Sequence, residues 1–127
     1  MVEEEIEFPP GVYYVGDPCY VLSEDIYNTW WGEKTGYASG VIETPKGTFL
    51  VASSKYGDGM YRDEDGTTYP VDSGTLALVP WDMCETHQDV SGNGRVVTFQ
   101  HRGCFRCEDG IFEFGDGKTD ITIDTSV

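Results

Sequence analysis

Cys84 and His87 stand three apart in "CETH", and Cys104 and Cys107 stand three apart in "CFRC", with residues 88–103 between the pairs. Thiolate and imidazole ligands at that spacing are the donor set of a four-ligand zinc site. Two features weigh against zinc. "CFRCEDG" has a strand pattern that sends positions 104 and 107 to opposite faces, and an unoxidised cysteine is also a comfortable buried residue. No cofactor is the expectation, and zinc is the one that the spacing permits.

A second constellation is made of aspartates at turns. Asp17, Asp58, Asp72 and Asp116 each adjoin Gly or Ser-Gly at the end of a strand-like run. Turn chemistry explains each singly, because Asx side chains bond nearby backbone N–H groups. The sharper reading brings Asp17, Asp58 and Asp72 together on one edge with Tyr20, Tyr61 and Ser73. Carboxylates converging from three turns would bind a cation, or leave one carboxyl protonated as a general acid. Cys19, two residues after Asp17, becomes a candidate nucleophile if His87 or His101 reaches it as base, against the commoner reading of a buried thiol. "DEDGTTYPVD" fails as a calcium loop, since the spacing wants an oxygen ligand at Tyr61 and Glu at Asp72. The chain contains no phosphate-binding loop, dinucleotide fingerprint, zinc-protease or nucleophile-elbow motif.

These residues must be held by local elements. In "GVYYVGDPCYVLSEDIY" the Asp17-Pro18 pair interrupts an apolar run and predicts two strands, with Tyr14 and Val15 before it and Tyr20 and Val21 after. The Asp17 carboxylate is expected to accept N–H bonds from a neighbouring turn, since an unpaired buried carboxylate would be costly. Ser23 stands at an N-cap, and Ile26/Trp30 with Tyr27/Trp31 predict a short helix over 24–31 that Gly32 ends. "SGVIE" and "TFLVASS" flank "TPKG" as a hairpin. Residues 56–74 are turn-rich, with Pro70 marking an edge or a strand start. "WDMCETHQD" reads as a short helix. "RVVTFQH", "CFRCE", "IFEF" and "DITIDT" follow as strands, with Asp109-Gly110 as a type I′ turn. Eight or nine strands at this spacing predict a mainly antiparallel sandwich or partly open barrel with one or two short helices. The expected organisation is an acidic extended lead-in over 1–10 and one mainly-β domain over 11–127.

With 23 acidic and 8 basic residues the formal charge is −15. That charge repels nucleic-acid backbones and anionic membranes and favours an electropositive protein partner. No stretch is long and apolar enough to span a bilayer as a helix, and four cysteines without a disulfide-rich pattern point to the cytoplasm. The expected contact surface lies in the 56–74 segment, where Asp58, Asp63, Glu64, Asp65 and Asp72 alternate with Tyr56, Tyr61 and Tyr69 as exposed anchors, beside Asp17, Tyr20 and Ser73.

"YVGDPCYVL", "YGDGMY", "YPVDSG" and "ITIDT" occur in that order over roughly residues 11–125. In this the chain resembles the small uncharacterised proteins of phage and prokaryotic genomes that carry a Gly-Asp-Pro-Cys-Tyr motif. The resemblance implies a phage-like or prokaryotic cytoplasmic origin and carries over no catalytic residue. Cys84 and Cys107 are not features that it explains. The expectation is therefore a small acidic binding or inhibitory protein, phage-encoded and acting on a host protein. The alternatives are a small enzyme using Asp17, Asp58 and Asp72 in a pocket, and a zinc-stabilised structural module.

Overall fold

The computed structural model describes residues 5–85 and 92–126. Short strands dominate, as the turn spacing predicts: β1 (Ile6–Phe8), β2 (Gly11–Gly16), β3 (Gly40–Thr44), β4 (Gly47–Ser53), β5 (Gly59–Arg62) and β6 (Thr68–Val71) fill the first half. The rest is β7 (Thr75–Pro80), β8 (Gly94–Phe99), β9 (Gly103–Glu108), β10 (Ile111–Gly115) and β11 (Asp120–Asp124). They form a five-stranded sheet ordered β3-β4-β7-β2-β8, a four-stranded sheet ordered β1-β9-β10-β11, and a β5-β6 ribbon. All pairings are antiparallel. The architecture is an antiparallel sandwich, and among the described residues the sheets do not close into a barrel.

Side-chain period sets which faces are dry. β10 and β11 alternate, with Phe112, Phe114, Ile121 and Ile123 buried and Glu113 and Thr122 exposed, so the four-stranded sheet keeps one wet face. β4 and β7 do not alternate: Phe49 to Ala52 and Thr75 to Val79 are all buried. Their even-numbered residues Leu50, Ala52, Leu76 and Leu78 enter the core between the sheets. Their odd neighbours Phe49, Val51, Ala77 and Val79 enter a second core on the other side, with Ile26 and Trp31. Covering both faces is why "TFLVAS" and "TLALV" read as unbroken apolar runs.

The cover on that second face is the helix Asp25–Glu33, wound as a π-helix. Ser23 starts it as expected: its Oγ accepts from the Ile26 amide at 3.2 Å and its carbonyl from the Tyr27 amide at 2.9 Å. The wider winding aligns residues five apart, so Ile26 and Trp31 share the buried face. Trp31 is fixed edge-on to Tyr27, Tyr37 and Phe49, with its indole N–H donated to the Ala38 carbonyl at 2.9 Å. Gly32 does not end the helix. A Cβ there would lie 2.7 Å from the Tyr37 ring, so this glycine serves a close approach, and the chain turns away only at Gly36 and Tyr37, both at positive φ.

The two hairpin turns fall where the sequence puts them. Pro45 and Lys46 link the paired Thr44 and Gly47. Asp109 and Gly110, at φ 51° and 81°, link β9 to β10 with the left-handed pair that a type I′ turn requires. Pro70 sits within β6, where a two-stranded ribbon tolerates its missing N–H. Within the expected lead-in, Ile6–Phe8 is a strand of the sandwich paired to β9, with Phe8 packed edge-on against Tyr13 and Phe99. After Asp17 the chain does not resume a strand. Pro18–Tyr20 is a single 3-10 turn, because Asp17 caps it and Pro18 supplies the helical φ at its first position. Trp81–Met83 is likewise one 3-10 turn, closed by an extended Cys84 where the sequence predicts a continuing helix, and positions 86–89 of that expected helix lie outside the described residues.

Candidate functional site

Asp17 joins the end of β2 to the turn between β6 and β7. Its side chain is fully buried. One oxygen accepts from the Asp72 and Ser73 amides, both at 2.7 Å. The other accepts from the Cys19 amide and the Ser73 hydroxyl, both at 2.8 Å. The expected backbone bonds from a neighbouring turn are thus present. Tyr20 donates to the Asp72 carboxylate and Ser73 bonds Thr75 at 2.6 Å, while the Tyr27 hydroxyl reaches Ser73 from the helix. The predicted convergence holds for Asp17, Tyr20, Asp72 and Ser73. Asp58 stands at the margin, its Oδ1 3.9 Å from where a Cβ on Gly74 would be. Tyr61 is not a member: its hydroxyl donates to the Gly57 carbonyl at 3.0 Å. Four donors use the acceptor directions of the Asp17 carboxylate, which leaves none for a cation or a substrate. The cluster is a knot between two turns.

Asp63 repeats the device. It accepts from the Asp65 and Thr67 amides at 2.9 and 3.0 Å, from the Tyr69 hydroxyl at 2.6 Å and from Arg95 at 2.9 Å. Burial pushes its carboxyl up, but the bonds from Tyr69, Arg95 and the two amides outweigh that and hold it below the usual aspartate range. Asp116 is the third: it takes the Gln100 and His101 amides on one oxygen and those of Lys118 and Thr119 on the other. Those backbone bonds, Thr119's foremost, lower its carboxyl to about 2. The 56–74 segment is therefore only partly a surface. Tyr61, Asp63 and Tyr69 are buried, which corrects their expected exposure, because the β5-β6 ribbon folds over the open flank of the main core and contributes Tyr61, Tyr69 and Val71 to it. Tyr56, Asp58, Glu64, Asp65 and Asp72 remain exposed.

The cysteines are all free and do not meet. Cys84 lies in the core beneath the helix, Cys107 in the core between the sheets, and Cys104 on the outer face of β9. The strand period separates Cys104 from Cys107, as their spacing warned. His87 lies outside the described residues. Among the described residues no group of three or more His, Cys, Asp and Glu side chains is placed to hold a metal ion. Burial is the first cause lifting every thiol, to about 12 at Cys84 and about 11 at Cys107. Cys19 is lifted further, by burial and then by the Asp17 carboxylate, so it is held as a thiol, the wrong form for a nucleophile. Beside it, Leu22, Glu24, Tyr27 and Asn28 line a shallow ≈ 270 Å³ hollow. His101 belongs to the turn that Asp116 ties, on the β8–β9 connection.

The remaining feature is the wet face of the four-stranded sheet. Glu7, Cys104, Arg106, Glu113 and Thr122 lie there in register, around a depression of ≈ 360 Å³ rimmed by Glu5 and Asp120. Arg106 contacts Glu108 at 3.4 Å and Glu113 at 3.7 Å. Glu64 reaches the same sheet from the ribbon and accepts from the Thr122 amide at 2.7 Å. Glu5, Glu7, Glu64, Glu108, Glu113 and Asp120 are all exposed around this one face. Of these six only Glu64 is among the residues singled out from the sequence. The signal for Glu113 and Arg106 was nevertheless present, in the alternation of "IFEF" and "CFRCE". Comparison with protein-family models, with curated proteins and with solved structures finds no match for the chain.

Proposed function

We propose that this is a small acidic binding or inhibitory protein, phage-encoded in the manner of the proteins it resembles, which occupies an electropositive surface of a host protein. The observation that carries the reading is the wet face of the four-stranded sheet, where six exposed carboxylates surround Arg106 over a shallow depression. A flat acidic face suits protein contact and electrostatic steering better than it suits the enclosure of a small substrate. The four free cysteines accord with a reducing cytoplasm as the place of action. The enzyme alternative draws less support, since Asp17 is saturated by donors and Asp72 is engaged by Tyr20.

The test is affinity capture from bacterial lysate at two salt concentrations, with the wild-type chain and with Glu64, Glu113 and Asp120 all changed to Lys. Host protein should be retained by the wild type at low salt and lost both at high salt and with the variant, because raising salt from 0.1 to 1 M shortens the Debye length from about 10 to about 3 Å. Capture indifferent to the variant would place the contact elsewhere. Turnover of a small molecule by the purified chain would replace this reading with the enzyme one.

A further inference from the structure

The two sheets of the sandwich are unequal, five strands against four. The smaller sheet ends at β1, which pairs only with β9 among the described strands, so its other edge presents unpaired backbone groups. Beyond that edge the inner face of the larger sheet is not fully covered. Val41 on β3 faces the same side as its register partner Leu50, yet Val41 is 50% exposed where Leu50 is 5%. Between them opens a groove of ≈ 330 Å³, with Ile6 and Phe8 of β1 on one wall, Val41 on the other, and Leu50 and Leu78 beneath. A strand needs about 4.8 Å of sheet width beside its neighbour. The vacancy is what one further strand, hydrogen-bonded to β1, would cover.

We infer that this groove receives an extended, basic segment of the partner protein, added as a strand to the free edge of β1 with alternate apolar side chains lowered against Val41 and Leu50. Strand addition draws affinity from main-chain hydrogen bonds and specificity from pockets for every second side chain, and the open edge and the groove supply one each. Charge selects the occupant. Among the described residues no basic side chain lines the groove, and Glu43 projects from the same side of β3 as Val41, opposite the lining residue Thr48. A second copy of this chain is disfavoured, because it brings a further −15 and sets Glu43 near its like. The inference rests on the reading of a basic protein partner and specifies how that partner is gripped.

The test uses three synthetic probes: a capped hexapeptide alternating Lys and Val, the same peptide N-methylated at alternate residues, and an oligolysine of equal charge. The alternating peptide should bind and shift the amide resonances of Ile6–Phe8, Val41 and Leu50. N-methylation, which removes main-chain donors, should weaken it by about tenfold, and Val41→Lys by at least as much. Glu43→Gln, a milder surface change, should weaken it by about two- to threefold. Equal binding of the N-methylated peptide, or indifference to Val41→Lys, would overturn the inference. So would a dimer of the chain alone that Val41→Lys converts to monomer, which would make a second copy the occupant. If the peptides bind but shift only residues around Glu113 and Thr122, strand addition falls while the acidic-face reading stands. If no lysine-bearing probe binds at all, both fall together.

Discussion

Removing the Asp17 side chain separates a structural knot from a catalytic carboxylate. Asp17→Ala strips acceptors from the amides of Cys19, Asp72 and Ser73 and from the Ser73 hydroxyl. A buried donor left unsatisfied costs about 1–3 kcal/mol, but all four of these bonds are only part-buried, so the sum is nearer about 3 kcal/mol than the full tally. Asp17→Asn is the informative partner. Its oxygen can take the position shared by the Asp72 and Ser73 amides, and its NH2 then faces Ser73 Oγ, which can accept, and the Cys19 amide, which cannot. One lost bond and one donor–donor contact give about 1.5 kcal/mol. Urea unfolding followed by fluorescence of Trp30, Trp31 and Trp81 measures both. The expected order is wild type above Asn above Ala, with unchanged m-values. The reasoning is refuted if Asn is as damaging as Ala, or if both lie within about 0.5 kcal/mol of wild type.

Asp63 and Asp116 both have native carboxyls held below the ordinary 3.8, so the unfolded chain binds more protons and stability rises with pH through that interval. The urea midpoint should therefore fall as pH drops from about 4 towards about 2, and Asp63→Asn and Asp116→Asn should each flatten that slope; an unchanged slope in both would remove them as its source. The raised thiols predict that the folded chain at pH 8 reacts with a disulfide reagent at least about tenfold more slowly than the urea-unfolded chain, and that half-buried Cys104 reacts before Cys84 or Cys107. Native mass spectrometry after zinc-replete expression should find less than about 0.2 zinc per chain, since a structural site would retain its metal; a stoichiometric ion would refute the separation of the cysteines. Gly103→Ala puts a Cβ 2.4 Å from the Phe8 ring and 2.6 Å from the Gly115 carbonyl. It should cost about 1–3 kcal/mol by overpacking and expose β1 to limited proteolysis; a neutral result would mean that β1 is not docked on β9 as described.

The sequence speaks clearly where one residue's covalent chemistry decides. Asp109-Gly110 has few conformations other than its left-handed turn, Pro45 presets its own φ, and Ser23 offers an acceptor where orphan amides begin. It misleads where a choice depends on what arrives from far away. Gly32 has the form of a helix stop, but whether it stops or admits a neighbour is settled by Tyr37 returning over it. Tyr61, Asp63 and Tyr69 stand in a polar, glycine-rich segment whose composition reads as surface. Their burial follows from Arg95, 32 positions beyond Asp63, and from core residues that the ribbon covers. The Asp17 knot was legible only in part: local turn chemistry accounts for its bond to the Cys19 amide, whereas its bonds to the Asp72 and Ser73 amides span 55 and 56 positions. The acidic face was less so, since its carboxylates come from β1, β9, β10, β11 and the ribbon, and no window of sequence contains more than a few of them.

Charge ties the fold to the proposed role. Asp17, Asp63 and Asp116 each collect four donors at a junction between turns, so their oxygens are consumed in holding the sandwich together. The exposed acids around the four-stranded sheet have a different balance: Arg106 and Arg102 offer only long contacts of 3.4 to 3.7 Å at well-exposed positions, which contribute little. Mutual repulsion on that face opposes folding, and among these acids only Glu64, on the Thr122 amide, and Asp120, on the Gly117 amide, have backbone bonds to set against it. Neutralising Glu113 should accordingly leave stability unchanged or raise it slightly while slowing association with a basic partner. The equivalent change at Asp17 should do the reverse, lowering stability with the association rate of the folded fraction intact. Stopped-flow association at several salt concentrations, read beside urea midpoints of the same variants, distinguishes the two classes; a single pattern for both would mean that the knots and the open face are not separate parts of the molecule.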